Sequence, residues 1–142
     1  MATEVRRQLG DVELAVLEAG HGGRPLVLCH GFTGAKEDFG DWVDRFAAHG
    51  WWVVVPDLRG HGASSQPEGE EHYSLAVMAA DLQALADDLG WDGFSLLGHS
   101  MGGMIAQHLA LDAPHRVHRL VLMDTHHGPV EGLDPEAVAI GL

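Results

Sequence analysis

Ser100 is the residue with the clearest capacity for chemistry. It stands in the run Phe94-Ser95-Leu96-Leu97-Gly98-His99-Ser100-Met101-Gly102-Gly103-Met104-Ile105, with Gly98 and Gly102 two residues away on either side. The run reads as a buried strand, a turn too tight for ordinary residues, and an apolar helix. In such a turn a nucleophilic serine takes a strained backbone conformation, and a Cβ at either flanking site would crowd it. The hydroxyl is then lifted above the end of the sheet, at the positive end of the following helix. Glycine and serine are common, so the spacing alone says little; the strand before it and the helix after it supply the required context. In that context Ser100 reads as a nucleophile rather than a plain turn serine.

Other reactive side chains have plainer readings. His99, inside the turn, is expected to point into the core. His30, in His30-Gly31-Phe32-Thr33-Gly34, is expected to brace a glycine-rich bend rather than transfer protons. Asp57, Arg59 and His61 fit a loop-stabilising cluster of hydrogen bonds and ion pairs. His115 with His118, and His126 with His127, show no metal-ligand pattern such as H-E-x-x-H, so no metal site is expected. Cys29 closes the apolar run Leu26-Val27-Leu28-Cys29 and is expected to be a buried, unreactive thiol. Trp42, Trp51, Trp52 and Trp91 are assigned to core and helix packing.

The elements that must position Ser100 follow from periodicity. Glu4–Gln8 and Val12–Leu17 alternate around Gly10-Asp11, which predicts an antiparallel hairpin. Pro25 opens an apolar strand ending at Cys29. Asp38–His49 carries Phe39, Trp42, Val43 and Phe46 on one helical stripe, and Gly50 is placed to end that helix in the left-handed conformation. Trp51–Val55 is a second buried strand, stopped by Pro56. After a polar insertion, Gln66–His72, Ser74 is a good N-cap for a helix carrying Leu75, Met78, Leu82, Leu85 and Leu89, closed by Gly90. A helix from Met101 to Ala113, apolar nearly all round, implies burial on both sides. Arg119–Met123 is one more apolar strand. This alternation predicts an α/β fold: a mostly parallel sheet with helices on both faces.

Composition narrows the partners. With 142 residues the chain suits one domain with a real core, not two. A formal net charge of −13 repels phosphate backbones and anionic lipid, so neither nucleic acid nor membrane is an expected partner. The single cysteine excludes an intrachain disulfide framework and fits a reducing, cytoplasmic setting. No signal-peptide-like start is visible, and no apolar run reaches the ~18 residues that would span a bilayer.

With the elements placed, four segments resemble the N-terminal half of an α/β-hydrolase. They are His30-Gly31-Phe32, Asp57-Leu58-Arg59-Gly60-His61-Gly62-Ala63-Ser64, Gly98-His99-Ser100-Met101-Gly102-Gly103, and Arg119-Leu120-Val121-Leu122-Met123-Asp124. The resemblance covers almost the whole chain. It implies that the strand before His30 neighbours the strand before Ser100. Adjacent strands lie about 4.8 Å apart, so their C-terminal loops would meet over one site. It also implies that the backbone N–H groups of Phe32 and Met101 form the oxyanion hole, with Phe32 walling the acyl pocket. No cofactor is implied.

The family places its catalytic histidine after the last sheet strand and its acid usually after the second-last; both positions fall beyond the sixth strand, where this chain stops. A whole hydrolase of this kind has roughly 250 residues or more, so the sequence resembles slightly over half of one. Residues 1–124 read as the N-terminal part of the core domain, and 125–142 as a tail or the start of a missing cap. Asp124 ends the sixth strand, where some members carry their acid; His126 or His127 could serve as base only if the tail folds back. An apolar sixth strand left as a sheet edge invites pairing with a second chain or self-association. The implied function is a serine hydrolase acting on a carboxylic ester or related acyl substrate through Ser100. Serine rather than aspartate at the elbow argues against haloalkane dehalogenase and epoxide hydrolase chemistry. The alternative is a non-catalytic small-molecule binder, or an inactive fragment, with the same fold.

Overall fold

The computed structural model describes residues 2–125, which form one six-stranded sheet with helices on both faces. Strands β1 (Thr3–Leu9) and β2 (Val12–Ala19) make the expected antiparallel hairpin across Gly10-Asp11. The other strands are β3 (Arg24–Cys29), β4 (Trp51–Pro56), β5 (Phe94–His99) and β6 (Val117–Met123). Strand order is β1-β2-β4-β3-β5-β6; β2 meets β4 antiparallel, and every later pairing is parallel. The expected adjacency of β3 and β5 is present, with Cys29 opposite Gly98.

Side chains alternate across the sheet because successive Cβ atoms of a strand point to opposite faces. Val27, Val54, Phe94 and Leu96 pack beneath helices α2 (Leu75–Asp88) and α3 (Met101–Asp112), against Leu82, Leu85, Ile105 and Leu109. Leu26, Leu28, Val53 and Val55 face the other way, toward Val43 of helix α1 (Gly40–Ala48). Ser74 caps α2 as its sequence suggests, accepting a hydrogen bond from the Val77 N–H at 3.1 Å. Gly50 and Gly90, with φ of 89° and 76°, follow α1 and α2.

Three sequence expectations are corrected. The helix expected over Asp38–His49 begins earlier and differently, as a 3₁₀ turn at Lys36–Phe39 that runs into α1. The turn is tight because the Lys36 side chain is drawn inward to Asp57, and Asp38 Oδ2 accepts the Ala35 N–H at 3.3 Å. Trp42 is not core: it is half-exposed, with the Arg45 guanidinium 5.2 Å from its ring centroid. α3 is not buried all round, since Leu111 near its end is exposed.

Strand β6 differs from the strands beside it. Its apolar residues Leu120, Val121, Leu122 and Met123 are all exposed, because nothing among the described residues pairs with its outer edge or fully covers its faces.

Candidate active site

Ser100 sits between β5 and α3 with φ 55° and ψ −119°, a conformation that costs a non-glycine residue of order 1–3 kcal/mol. Its neighbours hold it there. The Ser100 N–H donates to the Met123 carbonyl of β6 at 2.9 Å. Its own carbonyl accepts from the N–H groups of Gly103 (2.9 Å) and Met104 (3.3 Å) and from the Thr125 hydroxyl (2.6 Å). The glycine spacing has the steric cause expected of it. A Cβ at Gly98 would overlap the Gly102 carbonyl, and one at Gly102 would overlap the carbonyl oxygens of Cys29 and His30. Glycine at 102 therefore lets the start of α3 lie directly on the end of β3.

That approach brings the β3 loop over the nucleophile. A Cβ at Gly31 would fall 3.1 Å from Ser100 Cβ and 3.5 Å from Ser100 Oγ. The loop's shape is set by His30, which is fully buried. The Leu58 N–H donates to His30 Nε2 at 3.0 Å, so Nδ1 carries the proton and donates to the Gly31 carbonyl at 2.7 Å. The Gly34 N–H donates to the same oxygen at 3.0 Å. In a trans peptide the N–H points opposite to the C=O. Anchoring the Gly31 carbonyl on one side of the loop therefore turns the Phe32 N–H outward on the other. Burial pushes the His30 imidazole below its ordinary pKa, and the Gly31 carbonyl only partly offsets this, so the ring is held neutral. His30 braces the bend, as its position suggests.

Neither the Phe32 nor the Met101 N–H donates to any group among the described residues. The first N–H groups of a helix have no intrahelical partner, and they lie at the positive end of its dipole. Two unengaged amides thus flank the Ser100 turn, one from each loop.

The expected cluster of Asp57, Arg59 and His61 is real, but its partners lie elsewhere. Buried Asp57 accepts from Lys36 Nζ (2.8 Å), the Lys36 N–H (2.7 Å) and the Ala63 N–H (2.9 Å). Burial works against the Asp57 carboxylate, but these donors outweigh it and hold the carboxyl below its usual range. Lys36, itself buried, also reaches Glu4 (3.0 Å) and Glu37 (3.1 Å); burial opposes its charge, and the three carboxylates raise it above its ordinary value nonetheless. Arg59 grips Asp81 of α2 through two bonds of 2.6 and 2.7 Å. Lys36, Asp81 and Thr125 were missed by sequence reasoning, and no motif marks them.

The histidine and acid positions are less complete. His99 does not enter the core: its side chain is 43% exposed, with Nε2 3.6 Å from Asp124 Oδ2. The reason is strand alternation. Ser95, Leu97 and His99 share the α1 face, and α1 does not reach the end of β5; His99 lines an open groove of about 550 Å³ with Phe39, Trp42, Phe46 and Met123. Asp124 stands at the end of β6 with φ 47°, exposed and facing His99. No histidine bonds the Ser100 hydroxyl among the described residues; His126 and His127 lie outside them. No three His, Cys, Asp or Glu side chains converge among the described residues as a metal site would require. No helix there is long and apolar enough to cross a membrane.

The sequence pattern of the alpha/beta hydrolase fold matches residues 24–141. The chain belongs to this family. It is 39% identical over 95 residues to epoxide hydrolase A of Mycobacterium tuberculosis, an alignment covering 66% of this chain and 30% of that protein. It is 37% identical over 121 residues to a fluoroacetate dehalogenase of Burkholderia sp., covering 82% of this chain and 38% of that protein. The crystal structure of epoxide hydrolase A from Mycobacterium thermoresistibile superposes with a TM-score of 0.88 at 30% identity, over 96% of this chain and 43% of that one. The chain thus spans between three- and four-tenths of the two curated relatives' length.

Proposed function

We propose that this α/β-hydrolase chain supplies the nucleophile and the oxyanion donors of a serine hydrolase acting on a carboxylic ester or related acyl compound. The observation that carries the reading is the strained Ser100 turn, held on both sides of its peptide and flanked by two unengaged N–H groups. Ser100 Oγ attacks the acyl carbon while its proton passes to a histidine base from outside the described residues. The carbonyl oxygen becomes an oxyanion between the Phe32 and Met101 amides, where a donor of this kind is worth about 3–4 kcal/mol. The tetrahedral adduct collapses, the bond to the leaving group breaks, and the leaving oxygen takes the proton. Water then adds to the acyl-enzyme, the base accepts its proton, and the acid departs with Ser100 regenerated.

Relatives named for epoxide and fluoroacetate chemistry do not redirect this reading. A serine oxygen that opened an epoxide or displaced a halide would be left in an alkyl ether, which water does not readily cleave. On an acyl carbon it is left in an ester, which the same site can hydrolyse. Acyl transfer is the turnover chemistry Ser100 supports.

A fluorophosphonate probe tests it on the protein in its longest natural form. Labelling at Ser100, abolished in Ser100→Ala, is expected; an unlabelled protein would point instead to a small-molecule binder. We also propose that the outer edge of β6 pairs with another strand, from a second chain or a second copy. The exposed Leu120–Met123 edge supports this, and size-exclusion chromatography with light scattering tests it on the 142-residue chain: association is expected, and a stable monomer would refute it.

A further inference from the structure

A second cleft, of about 430 Å³, opens on the opposite side of Ser100 from β6. Its walls include Phe32, His61, Gln66, Tyr73, Met78 and Met101. Two of these residues carry the proposed oxyanion donors, so the cleft adjoins the proposed oxyanion site. Its volume is within the range of small-molecule pockets.

Sheet order says which half of a substrate enters it. The cleft is built from the loops after β3 and β4 together with the start of α2, whereas β6 lies beyond β5 on the other side. The β3 loop already occupies one side of Ser100, so a base reaches Oγ from the β6 side. The leaving group must face the base that protonates it. The acyl group is therefore the half left to face the β3–β4 side.

The lining gives the chemistry of that group. The Phe32 and His61 rings meet edge to face with centroids 5.9 Å apart. The Tyr73 hydroxyl donates to the Pro67 carbonyl at 2.5 Å, which pins its ring in the wall. Two methionines add soft surface that favours aromatic partners. His61 Nδ1 is spent on the Arg59 carbonyl at 3.0 Å, which leaves Nε2 for another partner, and the exposed Gln66 adds an amide. We infer that this cleft is the acyl subsite and that it takes a compact aromatic acyl group rather than acetyl or a long alkyl chain. The inference rests on the acyl-transfer reading above.

The test separates the two. In Ser100→Ala protein labelled with 13C-methyl methionine, phenylacetate, the acid product of such an ester, is titrated against acetate and decanoate. Saturable shifts of Met78 and Met101 with phenylacetate are expected, with Met123 in the groove on the other face unmoved. In active protein, Gln66→Trp, at the exposed rim, is expected to lower the ratio of kcat/KM for phenylacetyl over acetyl esters about tenfold. Shifts confined to Met123, no saturable shift at all, or an unchanged ratio would overturn the subsite. If phenylacetate moves Met78 and Met101 but no ester is cleaved, the subsite stands and the acyl-transfer reading falls. If esters are cleaved while Met78 and Met101 stay still, the reverse holds.

Discussion

His30 makes two bonds of different purpose, and its two ring nitrogens allow them to be removed separately. Nε2 accepts from Leu58 and ties the β4 loop; Nδ1–H holds the Gly31 carbonyl and so turns the Phe32 N–H. An asparagine places its amide near the Nδ1 position and can keep the Gly31 bond while losing Leu58. A glutamine reaches the Nε2 position and can keep Leu58 while losing Gly31. In His30→Asn the buried Leu58 N–H is left without a partner, at about 1–3 kcal/mol. In His30→Gln the Gly31 carbonyl still accepts from Gly34, so stability falls by only about 0.5–1.5 kcal/mol. The Phe32 peptide then keeps one anchor of two and can tilt about it, and a misplacement of this kind costs about 10²-fold in rate. Urea denaturation and the phosphonylation rate of Ser100, measured on the longest natural form, read the two quantities. The expected pattern is crossed: Asn weaker but reactive, Gln firmer but slow. Equal phosphonylation rates in the two variants, or the reverse order, would refute the peptide-orientation argument.

Other consequences follow from the same contacts. Lys36→Met leaves the Asp57 carboxylate buried without its cation and should destabilise the fold by about 3–5 kcal/mol near neutral pH, read by chemical denaturation. Because the Asp57 carboxyl is held low, the pair's contribution is present above the ordinary carboxylate pKa of about 3.9 and is lost as pH falls through the lower folded value; the mutational difference should shrink in acid. The raised Lys36 predicts the opposite limb, stability kept below about pH 10.4 and lost as pH rises through the folded value. Gly102→Ala should prevent native folding, visible as lost thermal cooperativity, since the added carbon meets two backbone carbonyls. Burial pushes the Cys29 thiol up to about 12, so a thiol reagent should modify it only at the rate of global unfolding; fast native-state modification would contradict its burial.

Features dictated by local backbone needs were legible in the sequence. Gly98 and Gly102 announce the Ser100 turn because only glycine leaves room for the crossing backbones. Ser74 and Gly90 bracket α2 for equally local reasons. Contacts between distant segments were not legible. Lys36 and Asp57 are 21 residues apart, and nothing in either segment names the other. His99 was misread because its direction depends on the register of β5 and on how far α1 extends over that face. Thr125 closes on the Ser100 carbonyl only because β6 lies beside β5, a pairing that no local pattern specifies.

Rapid-quench mass spectrometry observes the proposed ester on Ser100 directly. The protein in its longest natural form is mixed with p-nitrophenyl phenylacetate and quenched within the first turnover. The predicted result is a phenylacetyl mass increment on the peptide carrying Ser100, absent in Ser100→Ala. Steady hydrolysis with no acyl adduct, or an adduct on another residue, would contradict it.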